Sequence, residues 1–319
     1  MSREARFQWL GTLILIGSIL CWSAMPPMLK ALTPHLDGWV TNGVRYPFAA
    51  LLWLGPLIHQ FRRGGINHRI WTRALAPTCF NVVAQVLWAW IPYFLDATLM
   101  GFLVRISVVF SIGGGFLLFP DERRLAGHPI FWLGVIASGL GFGLMSFGGG
   151  EVRGSATLVG ILLVLSCGAF YGLYAVAVRY SLEGSRPWVA FPVISIYTSI
   201  ALFLLMFVFG EPRRLFDLSM GWVGFLLLSA AIGIASAHTL FYMAIERLGV
   251  AISSSTQLVS PFLTFLWAFL FLGERLTSLE WVGGSILLGG GMLLVWSQTH
   301  FIPAALDPKR SPVEPEPGD

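Results

Sequence analysis

Apolar residues along this chain gather into long runs, and the charged residues cluster in the short stretches between them. Ten runs can be delimited, near residues 9–29, 38–60, 71–94, 97–119, 130–148, 156–178, 188–209, 220–244, 250–272 and 280–299. Most are about 20 residues long, enough as helices to cross about 30 Å of hydrocarbon. None shows the charged face that a helix on a soluble core turns to water. The pattern predicts an all-α membrane protein with ten transmembrane helices. Composition points the same way: 56% of the 319 residues are hydrophobic and 11% charged, against about 25% charged in ordinary soluble domains. The first run follows Arg3 and Arg6, as a secretory signal would. It exceeds the roughly 7–15 apolar residues of a signal core, however, and lacks a clear small-x-small cleavage site. It reads as an uncleaved first span.

Basic residues set the expected orientation. With ten spans, the segments on the N-terminal side carry thirteen of the 20 Lys and Arg residues, among them Arg62, Arg63, Arg69, Arg73, Arg123 and Arg124. The other side carries five: Lys30, Arg153, Arg213, Arg214 and Arg275. Cytoplasmic loops hold the basic excess, so both termini are expected in the cytoplasm, with the chain in the inner (cell) membrane. The net charge of +4 then reflects topology and requires no nucleic-acid partner. Residues 301–319, ending LDPKRSPVEPEPGD, are Pro-rich and charged, and read as a disordered cytoplasmic tail. Cys21, Cys79 and Cys167 fall singly inside apolar runs, which suggests neither a disulfide nor a metal site. No cofactor motif is evident, and none is expected.

The chain also repeats itself. Residues 116–125 read FLLFPDERRL, and residues 268–281 read AFLFLGERLTSLEW. A shift of 152 pairs Glu122 with Glu274 and Arg105 with Gln257. A shift of 149 lays the first span on the sixth, pairing Trp22 with Tyr171 and Lys30 with Arg179, and pairs Trp39 with Trp188 at the start of the second and seventh. Each half therefore has five spans, residues 1–150 and 151–300. Five is odd, so the second copy enters the membrane from the opposite side. Inverted repeats of this kind recur in secondary transporters, with the substrate site at their interface.

Two five-span halves, each with a fourth span ending in a G-E-R-L-like turn and a Gly-rich fifth span, resemble the EamA-type members of the drug/metabolite transporter superfamily. The second half carries the likeness best, with Pro261 in its fourth span followed by Gly273-Glu274-Arg275. The first half departs from it: Val109 replaces the proline, and Pro120-Asp121 stands where the copy has Leu272-Gly273. The resemblance covers about residues 9–299. It implies transport, and a central cavity among spans three, four, eight and nine.

Polar groups inside hydrocarbon are costly, so their positions carry information. Asn81, Gln85 and Trp88 share one face of the third span, and His238 and Tyr242 one face of the eighth. Tyr171 lies on a face of the sixth with Cys167 and Tyr174. In the ninth, Ser253, Gln257, Ser260 and Thr264 form a stripe with Pro261 inside it. That stripe either lines a pathway or holds helices together. Arg105 lies about nine residues into the fourth span, near the bilayer middle, with no Asp or Glu deep in any predicted span. An always-charged guanidinium there faces an anionic ligand such as a substrate carboxylate, or is held structurally by carbonyls or water. Arg45, nearer the outer surface, is expected to snorkel or pack structurally. Gly139 and Gly143 form G-x-x-x-G in the fifth span, and glycines crowd the tenth; intramolecular packing is favoured, giving a monomer over a homodimer.

The leading functional class is a secondary carrier, an exporter of small amphipathic metabolites such as amino acids working by alternating access, with a small-molecule substrate and the lipid bilayer as its partners. Efflux of cationic compounds is the alternative within that class. An intramembrane enzyme is the rival class, but H-E-x-x-H, G-x-S-x-G and paired deep carboxylates are all missing. A passive channel would need no alternation between two halves.

Overall fold

A computed structural model describes residues 3–62, 68–148, 155–182, 187–248, 253 and 256–301. Among these residues the chain is all helical, with no strand. In order the helices are α1 (Arg3–Ser23), α2 (Met25–Leu32), α3 (Gly38–Arg62), α4 (Arg69–Arg73), α5 (Leu75–Trp90), α6 (Ala97–Leu103), α7 (Ser107–Leu118), α8 (Pro129–Phe147), α9 (Ser155–Ser181), α10 (Pro187–Phe209), α11 (Met220–Ala230), α12 (Ala237–Leu248), α13 (Ser260–Leu272) and α14 (Ser278–Phe301). Eight helical segments are long and apolar enough to cross a membrane. α3 has 25 residues but is not among them, its hydropathy lowered by polar positions such as Thr41, Asn42 and Arg45. α13 is apolar but has only 13 residues. Large apolar side chains point outward, as lipid contact requires: Leu117 is 74% exposed and Phe271 73%. The C-terminal tail from residue 302 onward lies outside the described residues.

Several helices are interrupted, the first at Ala24 between α1 and α2. A 3-10 segment, Val104–Ile106, separates α6 from α7. A π-helical segment, Ala231–Ser236, joins α11 to α12. Leu258 and Val259 form a turn just before α13. Pro261 therefore does not stand in the interior of a helix. It sits in the first turn of α13, where a missing N–H leaves no bond unmade.

α8 packs closely against α14. Its contact face is not Gly139 and Gly143, around which nothing lies within 4 Å of a built Cβ. Gly134, Ser138 and Gly141 make the contact instead, meeting Gly283, Leu287 and Gly290. A Cβ on Gly141 would stand 2.2 Å from the Leu287 backbone N and 2.7 Å from the Gly283 carbonyl oxygen. Only a residue without a side chain permits that approach.

The Gly273-Glu274 turn now has a physical account. Gly273 adopts φ +70°, closing α13 in the left-handed conformation that glycine tolerates best. Its N–H donates to the Phe269 carbonyl, and the Glu274 N–H to that of Ala268. The Glu274 carboxylate then reaches the start of α6. It accepts from the Ala97 N–H at 2.8 Å, and from the Thr98 N–H and hydroxyl at 2.8 and 2.6 Å. Those N–H groups have no intrahelical partner, and a negative charge is favoured there. Beside it, Lys30 Nζ donates to the carbonyls of Pro92 at 2.8 Å and Leu95 at 2.9 Å. In the other half, Phe119 is extended and a 3-10 segment, Pro120–Gly127, follows. The side chains of Asp121 and Glu122 lie outside the described residues, so the matching contact is not seen.

Candidate functional site

A cavity of about 310 Å³ lies between the helices, lined from α1 and α2 (Trp22, Met25, Pro26), α3 (Arg45, Tyr46), α5 (Asn81, Gln85, Trp88), the α6–α7 break (Gly101, Val104, Arg105, Ser107), α9 (Tyr171, Tyr174), the π segment and α12 (Gly233, Ile234, His238, Phe241, Tyr242) and α13 (Thr264). Its volume is at the lower end of small-molecule sites. Eight of these twenty residues carry aromatic rings, counting His238, and polar groups stand at a few points.

Seven of the sequence-predicted positions meet here: Asn81, Gln85, Trp88, Arg105, Tyr171, His238 and Tyr242. Gln257, Ser260 and Pro261 do not line the cavity, although Thr264 of the same stripe does. The stripe assumed one continuous helix, and a turn at Leu258–Val259 stands between Gln257 and α13. Ser260 still takes part indirectly, because its hydroxyl accepts from Arg105 Nη2. Sequence reasoning missed Arg45, Tyr46, Trp22 and Met25. The available signal was Asn42 and Arg45, three residues apart on one helical face.

Arg45 does not snorkel. It is 2% exposed and held by neutral acceptors: Nε to Ser229 Oγ at 2.9 Å, Nη1 to Asn42 Oδ1 at 3.0 Å, and Nη2 to Met25 Sδ at 3.1 Å. Asn42 in turn donates to the Gln85 carbonyl at 2.8 Å, tying α3 to α5. Asn81 Nδ2 donates to Thr198 Oγ1 at 2.9 Å, tying α5 to α10. His238 is wedged among rings, stacked on Phe191 with centroids 4.2 Å apart and edge-on to Trp22 at 4.9 Å. Its Nδ1 faces the Ile234 carbonyl at 2.9 Å, so that nitrogen carries the proton and donates, because a carbonyl can only accept. Arg105 is less engaged. Beyond the bond to Ser260, its Nε is buried with no partner among the described residues. No group of three or more His, Cys, Asp or Glu suited to a metal occurs among the described residues.

Gln257 is 5% exposed, and neither its amide nitrogen nor its oxygen has a partner among the described residues. An orphaned buried polar group costs about 1–3 kcal/mol. Gln257→Met, close in shape and apolar, should therefore raise the melting temperature of the purified protein. A clear fall in melting temperature would show that the amide is bonded in the membrane.

Comparison with known proteins bears on family and fold. Residues 158–296 match the EamA-like transporter family, the half in which Pro261 and Gly273-Glu274-Arg275 stand. No curated protein matches in sequence. Solved structures share the fold: one crystal structure superposes with a TM-score of 0.59 at 15% identity, over 89% of this chain and 95% of the other.

Proposed function

Starting from a multi-pass membrane protein whose residues 158–296 are an EamA-like transporter unit, we propose that the chain is a secondary carrier exporting small amphipathic metabolites, amino acids among them, by alternating access. The observation that carries this reading is the cavity itself, which draws its walls from both halves of the chain and lies where helices are broken. Broken helices at a central site are how transporters expose polar backbone without facing lipid.

Ten spans in two inverted halves, residues 1–150 and 151–300, would arrange the two faces of that cavity as images of one another. Several observations support the repeat. Under the shift of 152 the break at Val104–Ile106 falls on residues 256–258 and overlaps the turn at Leu258–Val259. Among lining residues, Trp22 pairs with Tyr171 and Met25 with Tyr174 at a separation of 149. Asn81, Gln85 and Trp88 pair with Ile234, His238 and Phe241 at a separation of 153. Packing follows the same exchange, since α5 lies against α9 and α1 against α12. Rocking of one half on the other would then open the cavity to each side in turn, with both termini in the cytoplasm of an inner-membrane protein.

Counterflow tests the reading. Purified protein in liposomes loaded with an amino acid pool should take up labelled substrate faster than unloaded liposomes, and the rate should saturate. Uptake that is linear in concentration and indifferent to the inner pool would mark a channel and sink the carrier.

A further inference from the structure

We infer that the central cavity selects its ligand by negative charge, and that its preferred ligand is a small aromatic carboxylate without a compensating ammonium group. The inference rests on the carrier reading only in taking this cavity as the binding site.

Two guanidinium groups, Arg45 and Arg105, line the cavity, and among the described residues no Asp or Glu does. Every hydrogen-bond acceptor that meets them is neutral: Ser229, Asn42 and Met25 for Arg45, Ser260 for Arg105. Hydrogen bonds orient these cations, but nothing in the wall cancels their charge. An uncompensated cation in a low-dielectric site is unfavourable, and a bound anion relieves it. The two differ in what they can offer. Arg45 has all three of its nitrogens engaged, so it supplies a fixed positive field. Arg105 hydrogen-bonds, among the described residues, through Nη2 to Ser260 alone, so the rest of its guanidinium keeps N–H capacity for a ligand. A carboxylate accepts two parallel N–H bonds from such a fork, which an amide or amine cannot do.

The same geometry argues against an amino group on the ligand. An ammonium would enter the field of both guanidiniums with no carboxylate in the wall to receive it. Both cations come from the first half of the chain, and the counterpart of Arg105 is Gln257, so the repeat supplies no opposing charge. Trp22, Trp88 and Tyr171 supply flat apolar surface for a ring, and a volume of about 310 Å³ limits the ligand to small size.

Four probes with the same ring and three-carbon chain separate the possibilities: 3-phenylpropanoate, phenylalanine, 3-phenylpropanamide and 3-phenylpropylamine. Their binding to the full chain in lipid nanodiscs is measured by calorimetry. The acid should bind tightest. The amide and the zwitterion should be weaker by roughly 10- to 150-fold, the range of a charge-assisted bond, and the amine should not bind. Arg105→Gln should bring the acid down to the level of the amide while leaving the amide unchanged, and Arg105→Lys should fall between. Equal or tighter binding of the zwitterion or the amine to the native protein overturns the inference, whatever the variants do, and so does the absence of binding by all four. The expected order together with a failure of counterflow using 3-phenylpropanoate on both sides of the membrane would leave the anion site standing and remove the carrier. Saturable counterflow that prefers the amine or the zwitterion would do the reverse.

Discussion

Gly141→Leu is expected to yield little or no folded protein, whereas Gly139→Leu, two residues away on the same helix, should fold normally. A Cβ at Gly141 would lie 2.2 Å from the backbone N of Leu287 and 2.6 Å from its Cα. Backbone cannot rotate aside as a side chain can, so α8 and α14 must separate along their contact. Overpacking of this kind costs about 1–3 kcal/mol in ordinary cores and more where backbone is involved, a large share of a marginal total stability. Nothing lies within 4 Å of a Cβ at Gly139, and the loss of a helix glycine there favours folding by up to about 1 kcal/mol. Monodisperse yield and melting temperature in detergent read both variants. Equal behaviour of the two would show that α8 and α14 do not pack as described. A loss confined to Gly139→Leu, with a shift from dimer to monomer, would point to the G-x-x-x-G face as a contact between copies.

Cysteines replacing Arg62 and Arg275 should react with a membrane-impermeant maleimide from opposite sides. Both positions are exposed, and they lie at the ends of α3 and just beyond α13. Arg275 is preferable to Gly273, whose φ of +70° resists a side chain. In intact cells 275 should label fully and 62 only after the membrane is opened, with Cys21, Cys79 and Cys167 replaced beforehand. The effect is all or none. Labelling of both from one side would remove the inverted arrangement, since it requires an odd number of spans in each half.

Some parts of the site could be read from the sequence because they break a rule of hydrocarbon. Asn81, Gln85 and Arg105 stand out in apolar runs, and each lines the cavity. Arg45 breaks the same rule, and its place nearer a span end left snorkelling and structural packing both open; its burial selects the packing. The ninth span misled for a different reason. Four polar residues at helical spacing describe one face only if the helix is continuous, and a turn at Leu258–Val259 interrupts it.

What the sequence determined by itself is the all-helical character of the chain and the location of its apolar segments, because run length and hydropathy are local properties that a bilayer reads directly. The resemblance of the halves and the Gly273 helix stop were also legible, as matters of order along the chain. Only the tertiary structure decided which faces meet. In a soluble helix the polar side marks the outside, but here both the lipid-facing and the buried sides are apolar, so periodicity no longer separates them. Gly134, Ser138 and Gly141 could not be told from Gly139 and Gly143 until Leu287 stood against them. For the same reason the two arginines, 60 residues apart in sequence, could not be placed in one cavity until α3 and the break between α6 and α7 were brought together by packing.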